Sequence, residues 1–292
     1  MKKILIMIMS CNEEHFNNEE QVLRDTYLSI LPDNIDYIIY KGGYNEDRYD
    51  ADNHILYLNV NDDLDHTYHK TYKAFAYVNR FFEYDYIFRT NTSTYININL
   101  LNAFVQSLND TVTMWGGELM YDIGNNKCVT TIYLRGNGLL ISRDNITNII
   151  LYGWGYSQIE SKLIDDGVIG CVFNGYHIIN YSDYMLHIKS FREGWYKAIL
   201  NDYCYHQVCG MNNTNKEFDF IKTMMIIQIR NWYDRTQEVK HFKEIHEVFM
   251  NNTDDDIKRT IQMQYEYSKN PDVFIGAEYG FVTLDKIKNG EA

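Results

Sequence analysis

The sequence predicts an α/β fold in which helices flank a mainly parallel central sheet, followed by a helical C-terminal extension. Short apolar segments alternate with amphipathic segments through the first half of the 292 residues, as expected for repeated β-α-β units. Only 2 Pro occur, and no Pro-rich or Ser-rich linker divides the chain. We therefore expect a main domain over residues 1–192 and an extension over residues 193–292 that packs on it.

The predicted elements of the first half follow the order β-α-β-β-α-β. Apolar runs predict strands over residues 4–9, 37–40, 55–60 and 86–88, and helical spacing predicts helices over residues 19–31 and 66–82. In the second helix, Ala74, Phe75, Val78 and Phe82 share one face. Strands joined by crossover helices run parallel, so this order indicates a parallel sheet with helices on both sides.

The second half has a different pattern. Further strands are expected over residues 111–115, 129–134 and 139–141. From residue 193 the pattern is helical, most clearly over residues 218–247, where Met224, Met225, Ile226 and Ile229 would form an apolar packing face. The oligomeric state is not predicted.

Composition narrows the class of protein. A net charge of −13 and a pI near 5.1 argue against a nucleic-acid partner, which selects for a basic face. The 5 Cys form no CxxC pair and are interpreted as reduced thiols. The apolar run at residues 4–9 is too short for a signal peptide, and no run is long enough to span a membrane. We therefore expect a cytoplasmic protein.

Polar residues follow two of the predicted strands. Asn91, Thr92 and Ser93 end the strand at residues 86–88, and Ser10, Cys11 and Asn12 end the first strand. Ligands of open α/β sheets bind just beyond the carboxyl ends of strands. The sequence therefore predicts a binding site where these two segments meet.

Two short motifs leave alternatives open. Asp165 and Asp166 precede Gly167 and are interpreted either as the start of a helix or as a general base. Gly136-Asn137-Gly138 predicts either a tight turn or a loop whose backbone passes close to a ligand.

Residues 86–97, YIFRTNTSTYIN, resemble the strand that ends in the acidic DxD motif of nucleotide-sugar glycosyltransferases of the GT-A fold. The nearest pattern is the K-T-D-D-D-x-F-x-N of the β-1,3-galactosyltransferase and Fringe group, although the carboxylates are missing here. Segments 24–27 (RDTY), 62–71 (DDLDHTYHKT), 136–143 (GNGLLISR) and 165–170 (DDGVIG) resemble further motifs of that group in the same order.

The resemblance implies an inverting glycosyltransferase that moves a sugar from a UDP-linked donor to a hydroxyl of a glycan or glycolipid. Asp166 would be the general base, Asp165 would orient the acceptor or hold the loop, and the loop at residues 136–138 would lie beside both sugars. Residues 1–192 would form the nucleotide-sugar-binding and catalytic domain. The implied donor contacts are Ser10, Cys11, Asn12, Arg24, Asp62, Lys70, Arg89, Asn91, Thr92 and Ser93.

The same resemblance raises the question of a metal. DxD enzymes hold Mn²⁺ or Mg²⁺ against the diphosphate, whereas neutral oxygens such as those of Asn91 and Thr92 bind these ions poorly. One alternative is that cationic side chains offset the charge of the diphosphate without a metal, with Arg89, Lys189, Arg192 and His187 as candidates. The other is that a metal is held elsewhere, by His187 with Asp183 nearby. No cofactor is certain, and the metal-independent alternative is favoured slightly.

Two other functions stay open at this point. A non-catalytic sugar- or nucleotide-binding relative would explain the missing carboxylates, but not the retained Asp165-Asp166 pair. A phage-type transferase that glycosylates modified DNA bases is opposed by the net charge of −13.

Overall fold

The computed structural model of the protein describes residues 1–108, 115–117, 119–123, 130–134, 136–159, 165–172, 178–180, 185–188, 225–229, 236–250, 274–276 and 280–282. The strands are β1 Ile4–Met9, β2 Ile35–Lys41, β3 Arg48–Asp50, β4 Ile55–Tyr57, β5 Tyr86–Asn91, β6 Thr94–Ile96, β7 Trp115–Gly117, β8 Leu119–Ile123, β9 Thr130–Leu134, β10 Leu139–Ser142, β11 Ile178–Asn180, β12 Met185–Ile188, β13 Ile226–Ile229, β14 Phe274–Gly276 and β15 Gly280–Val282. The helices are α1 Glu14–Asp25, α2 Thr67–Phe81, α3 Ile98–Ser107, α4 Arg143–Ile159, α5 Asp165–Val172 and α6 Thr236–Met250, with 3-10 turns at Tyr27–Ile30 and Leu64–His66.

A central sheet has the strand order β11-β7-β10-β5-β1-β2-β4-β3. The four middle strands, β5, β1, β2 and β4, run parallel, so their carboxyl ends meet at one edge. β10 runs antiparallel to β5, with Leu139 opposite Arg89. The loop at residues 136–138 therefore enters the sheet at that same edge.

Apolar side chains on both faces of β1 hold the sheet between two layers of helices. Ile4, Ile6 and Ile8 point to the core shared with α1, α3 and α6, whereas Leu5 and Met7 point to the core shared with α2 and α4. A strand that is buried on both faces is almost continuously apolar. This explains why residues 4–9 were recognisable as a strand from sequence.

The predicted elements of the first half are confirmed, with shifts at their ends. The helix predicted over residues 66–82 spans Thr67–Phe81. The helix predicted over residues 19–31 begins earlier, at Glu14, and ends at Asp25, followed by a 3-10 turn. The hydroxyl of Thr26 donates to the carbonyl of Val22 at 2.6 Å, which satisfies a carbonyl that the ending helix leaves without a partner. Most of the predicted strand at residues 111–115 lies outside the described residues.

The prediction of a continuous helix over residues 218–247 is wrong. Ile226–Ile229 forms β13, which pairs antiparallel with β6 and parallel with β12, and α6 begins only at Thr236. β-Branched residues favour strands, and the edge of β6 provides the backbone partners. Among the described residues of the extension, the helix is α6, which packs on α1. The division at residues 192 and 193 stays a prediction. In the part of the chain that the structure describes, no helix is both long and apolar enough to cross a membrane.

Candidate active site

Three ion pairs lie at the carboxyl edge of the parallel strands. Lys41 Nζ lies 2.7 Å from Glu20 Oε1, Lys70 Nζ lies 2.6 Å from Asp62 Oδ1, and Arg89 contacts Asp165. All three basic side chains are buried. Because a buried charge is costly unless it is paired and hydrogen-bonded, each cation is held by its acid in a defined position.

Lys70 organises the end of β1. Its ammonium donates to the carbonyl of Ser10 at 2.9 Å and to Asp62, and its distance to Cys11 Sγ is 3.5 Å. The other carboxylate oxygen of Asp62 accepts from the backbone N–H of Asn12 at 3.0 Å. Burial acts to lower the pKa of Lys70, but the hydrogen bond with Asp62 and the neighbouring charges raise it above its usual value. The structure thus brings together five of the side chains predicted from sequence to contact a donor.

Burial raises the pKa of the Cys11 thiol, and the charge of Lys70 only partly offsets this effect. Cys11 is therefore a neutral thiol at neutral pH. Any contact of Cys11 with a donor would therefore be with an uncharged group.

A closed, uncharged turn joins β5 to β6. Asn91 Oδ1 accepts from the backbone N–H of Ser93 at 3.2 Å, from Ser93 Oγ at 2.8 Å and from Thr94 Oγ1 at 3.0 Å. Thr92 Oγ1 donates to Glu19, and the carbonyl of Ser93 accepts from the N–H of Ile229 in β13 at 2.7 Å. The three polar side chains that the sequence placed at the site are therefore used to stabilise the turn.

The Asn91–Ser93 turn does not fit the Mn²⁺ or Mg²⁺ that the resemblance implies. The only side-chain oxygen of Asn91 already accepts three hydrogen bonds, and the hydroxyl of Thr92 donates to a carboxylate. Among the described residues, no group of three or more His, Cys, Asp or Glu side chains could hold a metal ion. His187 lies in β12, but its side chain and all of Lys189 are outside the described residues.

Asp165 and Asp166 are the first two residues of α5, and both are buried. Asp165 Oδ2 accepts from Thr71 Oγ1 at 3.1 Å and contacts Arg89. Asp166 Oδ2 accepts from the N–H of Gly136 at 3.1 Å, and Asp166 Oδ1 accepts from the N–H of Gly167 at 2.9 Å. Both motifs that were ambiguous in the sequence, the acidic pair and the Gly-rich loop, therefore meet at one place.

Burial raises the pKa of Asp166 to about 6, and the charge of Asp165 adds to this effect. Arg89 and the two backbone N–H donors act in the opposite direction. A carboxyl group with a pKa close to neutral pH can both accept a proton and release it, which is the property required of a general base or acid.

The Gly136-Asn137-Gly138 loop is held against β5. The carbonyl of Gly136 accepts from Arg89, and the carbonyl of Asn137 accepts from Thr90 Oγ1 at 2.7 Å. A Cβ atom at position 136 would collide with Arg89 Nη1, so any larger residue would require the buried Arg89 side chain to move. The backbone of the loop approaches Arg89 closely, whereas its approach to a ligand, one of the two alternatives that the sequence left open, stays a prediction.

Arg24 lies away from this edge in the structure, so the prediction that it contacts donor phosphates has no support from its position. Its guanidinium donates to Tyr37 Oη and to the carbonyl of Asn53, both at 2.6 Å. It lies in the last turn of α1, roughly 15 Å along the helix from the edge where α1 begins. Because a crossover helix runs back towards the amino ends of the strands, its last turn is carried away from the site.

Arg89 is at the predicted place but is not open to a ligand in this structure. Its side chain is only 1% exposed, and its three nitrogens contact Tyr40, Gly136 and Asp165. The prediction that it directly offsets a diphosphate therefore has no support from this geometry.

Sequence reasoning missed several residues that build the site. The hydroxyls of Tyr40 and Thr71 lie 3.1 Å apart beside Asp165, and Glu20 binds Ser10 as well as Lys41. Lys41 directly follows the apolar run at residues 37–40, and a polar residue at the end of a predicted strand could have been recognised as a site residue. No such signal marks Glu19 or Glu20, since a glutamate in a helix is normally exposed.

Comparison with known proteins supports the architecture. No family model and no curated protein sequence matches the chain. Among solved structures, galactosyltransferase LgtC in complex with donor and acceptor sugar analogs aligns over 86% of this chain and 98% of its own, with a TM-score of 0.50 and 10% identity. The chain has a GT-A-like fold. At this identity the likeness establishes the fold alone, so the resemblance to the β-1,3-galactosyltransferase and Fringe group stays a prediction.

Two other glycosyltransferase structures align with lower scores. One is involved in the glycosylation of the major capsid of PBCV-1, with a TM-score of 0.46 and 10% identity over 82% of this chain and 99% of that one. The other is GlyE of Streptococcus pneumoniae, with a TM-score of 0.45 and 8% identity over 92% of this chain and 64% of that one.

Proposed function

We propose that the protein is a glycosyltransferase that moves a sugar from a nucleotide-sugar donor, UDP-linked by resemblance, to a hydroxyl of a glycan or glycoconjugate. The observation that carries the proposal is the buried carboxyl of Asp166, whose pKa is about 6 and which lies at the carboxyl edge of a GT-A-like sheet. Ligands of open α/β sheets bind at this edge. Transfer of a sugar to a hydroxyl requires a base at this position that can take up the hydroxyl proton.

Asp166 is proposed to act as the general base. It takes the proton of the acceptor hydroxyl while the hydroxyl oxygen forms a bond to the anomeric carbon of the donor. The bond between that carbon and the phosphate oxygen breaks, and the nucleoside diphosphate leaves with the electron pair. Attack from the face opposite the leaving group inverts the anomeric configuration, in line with the resemblance. The N–H donors of Gly136 and Gly167 hold the Asp166 carboxylate for this step.

The nucleotide is proposed to bind at the end of β1. The segment Ser10 to Asn12, with Asp62 and Lys70, forms a hydrogen-bonded platform there. Asn12 is exposed and Asp62 is half-buried, so polar atoms remain at the surface for a ribose or a base. The described cations at this edge are each paired with an acid. Lys189 and His187 therefore remain the predicted contacts of the diphosphate.

The reaction is proposed to proceed without a metal at the Asn91–Ser93 turn, because the oxygens of that turn are already engaged in hydrogen bonds. The turn would face the donor as a neutral surface. The charge of the leaving diphosphate would then be stabilised by side chains and backbone donors.

Release of sugar and of the nucleotide, a diphosphate from UDP-, GDP- and TDP-sugars and a monophosphate from CMP-sugars, would test the proposal, with and without acceptor sugars. We expect turnover with one donor class, and we expect Asp166→Asn to abolish turnover while leaving donor affinity intact. Asp144→Asn is the matched control, since Asp144 is an exposed acid in the first turn of α4. Equal turnover in Asp166→Asn and wild type would exclude Asp166 as the base.

The closed neutral turn also favours a second candidate, a sugar-nucleotide-binding protein without catalytic activity. In that case the wild-type protein would bind a nucleotide sugar and show no turnover with any donor and acceptor. Asp166→Asn would then change stability but no rate. The donor panel separates the two candidates directly.

A further inference from the structure

Arg89 is enclosed by protein groups on all of its polar atoms. Nε donates to Tyr40 Oη at 3.3 Å, Nη1 donates to the carbonyl of Gly136, and Nη2 is paired with Asp165. A guanidinium offers a rigid fork of donors that suits several acceptors at once. A donor phosphate could bind Arg89 only by displacing one of these partners.

Two of the residues that contact Arg89 are connected to Asp166. The first is Asp165, which is the preceding residue of α5. The second is Gly136, whose carbonyl binds Arg89 and whose N–H binds Asp166 Oδ2 at 3.1 Å. The single side chain of Arg89 therefore ties the end of β5 to Gly136, which binds the Asp166 carboxylate, and to Asp165, which precedes Asp166 in α5.

Arg89 offsets part of the negative charge around Asp166. Asp165 is paired with Arg89 on β5 and accepts from the hydroxyl of Thr71 on α2, while Tyr40 on β2 contacts both Arg89 and Thr71. The negative charge of Asp165 opposes ionisation of its neighbour, and the guanidinium favours it. Removal of the guanidinium would therefore disfavour the ionised form of Asp166.

We propose that Arg89 is a positioning residue, which fixes the Asp166 carboxylate through Gly136 and keeps it ionised by neutralising Asp165. This inference rests on the proposed role of Asp166 as the base. It assigns to Arg89 a role different from the contact with the donor diphosphate that the sequence predicted.

The test is a titration that does not need turnover. The full chain is labelled with aspartate carrying ¹³C at the side-chain carboxyl, and the signals of the pair are assigned by loss in Asp166→Asn and Asp165→Asn. The pH of proton uptake is then compared between wild type and Arg89→Met. We expect uptake by the pair in Arg89→Met at a pH higher by about one unit or more. Arg80→Met is the control, because Arg80 is exposed on α2 and should leave the titration unchanged.

A double variant keeps the test valid if Arg89→Met folds poorly. In Arg89→Met/Asp165→Asn both members of the buried ion pair are removed, so no unpaired charge remains. We expect this protein to regain stability relative to Arg89→Met and to return the titration of Asp166 towards the wild-type value. If Arg89 acted only as a structural anchor, the double variant would not restore the titration.

Affinity for UDP-sugars, measured by calorimetry, separates the two roles of Arg89. We expect folded Arg89→Met to bind the donor within about threefold of wild type, which is under 1 kcal/mol, with its acid limb of kcat/KM shifted to higher pH. An unchanged titration together with a large loss of donor affinity would overturn the inference. That result would instead support the predicted contact between Arg89 and the donor diphosphate. Failure of wild type to bind any nucleotide sugar would instead contradict the proposed function, while the titration would still report whether Arg89 controls Asp166.

Discussion

Lys70 and Asp62 form an ion pair in which the ammonium and a carboxylate oxygen lie 2.6 Å apart, and the lysine side chain is only 1% exposed. Three residues later in the same helix, Lys73 pairs with Asp47 at 3.0 Å, with side chains that are 36% and 37% exposed. The two pairs have the same chemistry in different surroundings. They provide a matched comparison for the role of the first pair at the end of β1.

Asp62→Asn should destabilise the protein strongly, because it leaves Lys70 as a buried charge without its acid. Removal of one partner from a buried pair costs about 3–5 kcal/mol. The control, Asp47→Asn, breaks an exposed pair and should cost less than about 1 kcal/mol. Urea unfolding of both variants would measure the difference. Equal effects would mean that the Lys70 pair is solvated and does not organise the strand end.

Gly136→Ala should destabilise the protein and lower its activity, because the added Cβ collides with Arg89 Nη1. Overpacking of this kind costs roughly 1–3 kcal/mol. The double variant Gly136→Ala/Arg89→Lys should lose less than the sum of the two single changes, since lysine has no atom at the Nη1 position. Thermal unfolding of the three variants gives the coupling. Strict additivity would show that the two residues do not touch.

The acid limb of activity should report the ionisation of Asp166. Its raised pKa of about 6 means that the base is protonated below that pH and ionised above it. We expect kcat/KM to fall as pH decreases through about 6 and to reach a plateau above about 7. Donor affinity measured over the same range should change little. A plateau that persists to about pH 4 would indicate an ordinary carboxylate and exclude the proposed environment of Asp166.

Stability is expected to depend on pH in the opposite direction from activity: it falls, rather than rises, as Asp166 ionises. The folded protein holds the proton of Asp166 more tightly than the unfolded chain, whose ordinary Asp pKa is about 3.9. The stabilising contribution of the protonated group is therefore present at low pH and is lost as pH rises through about 4 to 6. Asp166→Asn should remove this loss, so its stability relative to wild type should increase across that interval. Chemical denaturation at about pH 4 and pH 7 would measure it.

Activity is predicted to survive removal of divalent cations. The Asn91–Ser93 turn uses its oxygens internally, so chelation with EDTA should leave turnover within about threefold of its value with Mn²⁺. Calorimetric titration of the protein with Mn²⁺ alone should show no binding at this turn that Asn91→Ala or Thr92→Val abolishes. Activity that requires Mn²⁺ would mean that the ligands lie elsewhere, and His187 would be the first residue to replace.

The parts of the fold that were predictable from sequence are those with a strong local signal. Residues 4–9 are apolar on both faces, and residues 66–82 carry a clear helical stripe. The segment Ile226–Ile229 was wrongly predicted as part of a helix, because a short apolar run is compatible with a buried helix as well as with a strand. Its state is decided by pairing with β6 and β12, which lie far away in sequence.

The candidate site was predictable to the level of which segments meet, but not of which atoms touch. The ends of β1 and β5, the loop at Gly136 and the Asp165-Asp166 pair do converge. The sequence position of Arg89 does not distinguish a buried arginine from a ligand-binding one, because either can lie near the carboxyl end of a strand. The difference lies in Asp165, which is 76 residues away in sequence and comes into contact only in the folded chain.

The central claim is best tested by measuring donor binding and turnover for wild type and Asp166→Asn across the panel of UDP-, GDP-, CMP- and TDP-sugars in EDTA. We predict that wild type binds one donor class and transfers or hydrolyses its sugar, and that Asp166→Asn binds the same donor with turnover reduced by about 10²-fold or more. Absence of binding to every donor, or equal turnover in both proteins, would contradict it.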